Sequence, residues 1–85
     1  MSIYKDLKIG TTIRNLRNKS GYSQKYMYKE LGVSAATYSG YETNCTEPKR
    51  DMLFKICQLL ETNLKDLVVM SIFGQEKEGI DESKL

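Results

Sequence analysis

GYSQKYMYKELGVSAATYSGYETN, residues 21–44, reads as two short helices with almost nothing between them. Ser23 is placed to cap the first, because its side-chain oxygen can take a free backbone N–H of the opening turn. Met27 and Leu31, four apart, give that helix an apolar stripe, and Gly32 follows where a helix end favours a left-handed residue. Val33 bridges, and Ser34 caps the second helix. Tyr38 and Tyr41, three apart, form its inner side. Asn44 supplies the next stop, since Asn enters the left-handed region more readily than most side chains.

Toward the N-terminus, Ile9, Ile13 and Leu16 recur at i, i+4 and i+7, which predicts a helix running roughly from Tyr4 to Lys19 until Ser20-Gly21 breaks it. Beyond the loop Cys45-Thr46-Glu47-Pro48, the spacing of Leu53, Ile56, Cys57 and Leu60 gives the clearest amphipathic pattern in the chain, with Pro48 just ahead of the helix. Asn63 is a cap for a short fifth helix. Asp66 falls in its first turn, where the helix dipole favours negative charge, and Leu64, Leu67 and Val68 turn inward. From Gly74 onward the chain is polar and acidic, so residues 1–73 are expected to form the domain and 74–85 a frayed tail. No strand pattern or internal repeat competes with this reading. The expected class is all-α, a compact five-helix bundle.

A chain of 85 residues builds one domain with a modest core. No apolar run is long enough to cross a membrane, and Lys5, Asp6 and Lys8 interrupt any signal-peptide pattern, so a cytoplasmic protein is expected. Cys45 and Cys57 cannot form a CxxC clip, and the chain has no histidine, so the usual zinc ligand sets are missing and both cysteines read as structural thiols. Without histidine the commonest general base is also absent, and no carboxylates pair in a way that suggests acid and base roles. No enzyme activity, metal or cofactor is expected. Charge is uneven: residues 1–50 carry nine Lys or Arg against four Asp or Glu, and residues 51–85 four against seven. The first part suits a polyanion, although an uneven solvated surface would have the same composition.

Two short helices joined by a Gly-containing turn are the helix-turn-helix unit, whose first helix crosses the DNA backbone and whose second enters the major groove. Residues 9–67 resemble the phage-repressor class of helix-turn-helix domains, the Cro and Xre family, through the succession IRNLR, GYSQ, LGVS, YSGYE and the proline that opens helix four. The resemblance implies a lambda-repressor-like domain that binds double-stranded operator DNA, usually as a two-fold homodimer, and regulates transcription, most often by repression. Matched position by position, Gln24 corresponds to the family glutamine that touches a phosphate and the edge of the recognition site. Ser34, Ala35, Ala36, Thr37, Ser39 and Gly40 correspond to positions facing bases or adjacent backbone, and Thr43 and Asn44 to the backbone-contacting turn. Arg17 and Glu42 correspond to a pair tying helix one to the end of helix three. Lys25, Lys49 and Arg50 fit either phosphate contact or a solvated surface. Tyr38 and Tyr41 read as core, while Tyr22, Tyr26 and Tyr28 fit core or surface.

Two positions depart from the family pattern. Tyr28 stands where a small alanine is usual, so its ring must swing outward or push helices two and three apart. Glu61 occupies the usual glycine site after helix four, where a left-handed residue other than glycine costs on the order of 1 kcal/mol, or the turn changes.

The reading helix itself is unusual in carrying Ala35, Ala36 and Gly40. None of these can make the bidentate bonds by which Arg reads guanine or Gln and Asn read adenine. Methyl contacts to thymine, hydroxyl bonds, close backbone approach at Gly40 and DNA shape remain. The same deficit suits a protein-interaction module of this fold, antitoxin-like or anti-repressor-like, without strong DNA readout. Finally, LVVMSIF, residues 67–73, holds more apolar side chains than the end of such a domain needs. Val69, Met70, Ile72 and Phe73 are expected to form a homodimer interface, unless Ile72 and Phe73 fold back over the monomer's own core.

Overall fold

The computed structural model describes residues 7–74. Among them are five α-helices and no strand: α1 (Ile9–Ser20), α2 (Gln24–Leu31), α3 (Ala35–Glu42), α4 (Arg50–Leu59) and α5 (Leu64–Val69), followed by one π-helical turn, Met70–Gly74. Residues 75–85, most of the expected tail, lie outside the described residues, as does the expected helix start at Tyr4.

Three helix starts are capped by the expected side chains. Ser23 Oγ accepts from Tyr26 N at 3.0 Å, Ser34 Oγ from Thr37 N at 3.0 Å, and Asn63 Oδ1 from Asp66 N at 2.8 Å. Each satisfies one of the N–H groups that a helix leaves without a partner in its opening turn. The stops also behave as residue chemistry dictates: Gly21, Gly32 and Asn44 are left-handed, at φ 80°, 71° and 66°. Glu61 keeps the left-handed conformation at φ 57°, so the turn is conserved in shape and the chain carries its cost.

The first helix starts later than its apolar spacing suggested. Leu7 and Lys8 form a turn, Lys8 is left-handed at φ 55°, and Lys8 provides no side-chain cap. The cap comes instead from across the molecule: the Gly10 N–H donates to Asn44 Oδ1 at 2.9 Å. A helix start supplied from 34 residues away leaves no mark in local periodicity. Helix α4 likewise begins only at Arg50, with Lys49 rather than Pro48 beside it and Asp51 in its first turn; Pro48 is buried against the bundle.

Side chains from all five helices meet in one core that includes Ile13, Met27, Tyr38, Leu53, Ile56 and Leu67. Tyr38 and Tyr41 pack edge to face, with centroids 6.1 Å apart. Tyr28 is half-buried against this core, so its ring neither leaves the bundle nor lies fully within it. Cys57 is a buried free thiol whose burial pushes its pKa up, and Cys45 is exposed. The π-helical turn is tied to the body: Ser71 Oγ donates to Leu67 O at 2.8 Å, and the Thr12 and Ser71 hydroxyls are hydrogen-bonded at 2.9 Å.

Candidate nucleic-acid interface

The site is organised around one carboxylate at the end of α3. Glu42 Oε2 accepts from Arg17 Nε at 2.6 Å and from the Tyr38 hydroxyl. Its Oε1 accepts from Arg17 Nη2 at 3.2 Å and from Gln24 Nε2 at 3.0 Å. Arg17 also donates to the Tyr22 carbonyl at 2.9 Å. One acidic side chain therefore fastens α1, the start of α2 and α3 to each other. The pair joins helix one to the end of helix three as the resemblance implied, and it is buried, with Arg17 8% and Glu42 4% exposed. Burial pushes the Glu42 carboxyl up, but the hydrogen bonds from Arg17, Tyr38 and Gln24 outweigh it and hold the group below its ordinary value. Burial and the neighbouring carboxylate push the Tyr38 phenol far up, so the hydroxyl stays a donor.

This fastening fixes the surface outside it. Ser34, Ala35, Ala36 and Thr43 are exposed along α3 and its caps, and Thr37, Ser39 and Gly40 are half-buried there. Gln24, half-buried, and Lys25, exposed, sit at the start of α2, whose first N–H groups face out of the helix end. Lys49 and Arg50 are exposed at the start of α4. Helix α3 packs on both α1 and α2.

Two of the expected site residues also hold the fold together. Gly40 was read as allowing close approach of a partner's backbone, but a Cβ there would lie 2.7 Å from Thr46 Oγ1. Its carbonyl also accepts from Cys45 N at 3.0 Å and Thr46 N at 3.1 Å. Its smallness closes the loop after α3. The Asn44 side chain, expected at a phosphate, is engaged at both ends by α1: Oδ1 by Gly10 N, and Nδ2 by Thr11 Oγ1 at 3.1 Å.

Sequence reasoning missed the Tyr38 hydroxyl, although its signal was present, since Tyr38 and Glu42 stand four apart on one helix. It also left open Tyr22 and Tyr26, whose rings pack 4.6 Å apart just before and within α2.

Two eight-residue helices, a Gly32-Val33 turn and an outward α3 face backed by a buried ion pair define a helix-turn-helix domain of the DNA-binding regulators. A helix-turn-helix family model matches residues 13–67, and the chain belongs to that family, in its Cro/C1-type branch. Among its relatives are Antitoxin HipB of Escherichia coli O6:H1, 29% identical over 62 residues that make up 73% of this chain and 66% of HipB. HTH-type transcriptional regulator AnsR of Bacillus subtilis is 30% identical over 66 residues, 78% of this chain and 53% of AnsR. The chain thus spans about two thirds and about half of these two proteins. In fold it superposes on a point mutant of the restriction-modification controller protein C.Esp1396I with TM-score 0.69, covering 95% of this chain and 100% of the other at 22% identity.

Proposed function

We propose that this protein binds double-stranded operator DNA in the cytoplasm as a two-fold homodimer and represses transcription, with α3 in the major groove. The observation that carries this reading is the arrangement at α2 and α3. The outer face of α3 is exposed and uncluttered, and the open N–H groups and Lys25 at the start of α2 stand beside it. Gln24, held by Glu42, lies at the edge of that face, and Thr43 and the backbone of Asn44 follow α3 at its far end. Lys49 and Arg50 add positive charge at the start of α4. Phosphate contacts of this kind release counterions, each lowering the log–log slope of affinity against salt by about 0.9. Anisotropy titrations with the DNA flanking the protein's own gene should therefore give a slope several units negative. A flat salt response would favour the second reading, a protein-binding module of antitoxin type. That reading draws on the absence of Lys and Arg from α3 and on the likeness to HipB.

The homodimer rests on the end of the chain's described part. Val69, Ile72 and Phe73 are 45%, 42% and 57% exposed and Met70 is half-buried, which supports an interface here over a fold-back of Ile72 and Phe73 on the core. Exposed apolar side chains clustered in one short segment are the usual mark of an interface. A second copy joined here would set two α3 helices on successive major grooves, about 34–36 Å apart, and compensate for weak readout by each half-site. In sedimentation at micromolar concentration the protein is expected to run as a dimer and a Phe73→Asp variant as a monomer; equal masses for the two would remove this interface.

A further inference from the structure

On the α3 face the polar side chains are largely occupied within the protein. Ser34 Oγ accepts from Thr37 N at 3.0 Å and donates to Thr37 Oγ1 at 2.9 Å. Thr43 Oγ1 donates to Gly40 O at 3.3 Å, and both ends of the Asn44 amide are bonded to α1. Gln24, on the neighbouring helix, gives an N–H to Glu42, and the Gly40 position is filled against Thr46. What α3 keeps free is the proton of Thr37 and the hydroxyl of Ser39, and a hydroxyl rotates to donate or accept and so reads base edges degenerately. No α3 side chain presents a fixed donor–acceptor pair, the feature that gives roughly 5- to 160-fold discrimination in the major groove. The exposed groups in the first turn of α3, the part of a reading helix that reaches base edges, are the methyls of Ala35 and Ala36.

We propose that α3 recognises C5-methyl groups of pyrimidines, packing Ala35 and Ala36 against them. This rests on the DNA-binding reading above. It follows that the site distinguishes a methylated from an unmethylated pyrimidine and is indifferent to whether position 4 of that base is the oxygen of thymine or the amino group of 5-methylcytosine. Either base would supply the same methyl.

The test starts from a duplex selected by the protein out of a random pool. Each thymine in it is replaced singly by deoxyuridine, which removes the methyl and leaves the pairing edge intact. At two or more positions in each half-site affinity should fall about four-fold, the value of one buried methylene. At those positions a 5-methylcytosine·guanine pair should restore most of the affinity, and a plain cytosine·guanine pair should not. In Ala35→Gly and Ala36→Gly proteins the thymine-to-uracil ratio at the facing position should approach one. Because that ratio compares two DNAs with one protein, any loss of helix stability cancels. Tight binding with no thymine-to-uracil effect anywhere, or equal losses for 5-methylcytosine and cytosine, would overturn methyl recognition and leave DNA binding standing. Selection of no duplex at all would overturn the DNA-binding reading itself.

Discussion

Replacing Gly10 by alanine is expected to destabilise the protein by about 1–3 kcal/mol net, although alanine is the better helix former by about 1 kcal/mol. A Cβ on residue 10 would stand 1.9 Å from the carbonyl oxygen of Tyr41, 2.8 Å from Asn44 Oδ1 and 2.9 Å from the carbonyl oxygen of Glu42. Two of these three are backbone atoms, which no rotamer change can withdraw. The first turn of α1 would have to lift off the end of α3, and the Gly10 N–H bond to Asn44 would stretch or break with it. Overpacking alone costs about 1–3 kcal/mol and sometimes more, and the lost bond adds about 1 kcal/mol, so the clash outweighs the gain in propensity. For a domain of this size each 1 kcal/mol moves Tm by about 4–8 °C. Thermal unfolding followed by circular dichroism decides the sign: a Gly10→Ala protein that melts higher than the parent would show that propensity rules this position and that the close approach of α1 to α3 is wrong.

Glu42→Gln should weaken folding by about 3–5 kcal/mol, as removal of one partner from a buried ion pair does. The Arg17 guanidinium would be left buried with the Tyr22 carbonyl as its remaining strong acceptor, and the Tyr38 hydroxyl and Gln24 amide would lose a charged partner. The effect depends on pH in a defined direction. Glu42 is held below its ordinary value in the folded protein, so the stability it brings is present in full above the unfolded carboxylate pKa, about 4.3, and is lost as pH falls through the lower folded value. The difference in urea midpoint between parent and Glu42→Gln should thus be constant from pH 6 to 8 and shrink on acidification below about pH 4. A difference that is small at pH 7, or that grows in acid, would mean that the pair is solvated. DNA affinity measured where both proteins are folded should also fall, because a neutral amide holds Gln24 less firmly at the edge of the α3 face than the carboxylate does.

The helices were legible in the sequence because what makes a helix is local. The spacing of Ile9 and Ile13, of Met27 and Leu31, and of Leu53, Ile56, Cys57 and Leu60 specified which sides would be buried, and those residues are in the core. Ser23, Ser34 and Asn63 each reach a backbone N–H three residues away, and Gly32 and Asn44 stop their helices through their own φ. The candidate interface was legible only as a set of positions. Sequence placed Ala35, Ala36, Lys25 and Arg50 on the surface, but it did not show which of the neighbouring polar groups were already engaged.

Those engagements were decided by the tertiary structure, because they join residues far apart in the chain. Gly10 is small because α3 ends against it, 34 positions from the Asn44 that caps it, and Gly40 is small because Thr46 folds back on it. The Arg17–Glu42 pair spans 25 positions, and its burial comes from the way α1, α2 and α3 close around it. A residue type in a sequence states which hydrogen bonds and contacts a side chain is able to make. Which of them it makes inside the fold, and which are left for a partner, depends on distances that exist only once the helices have packed.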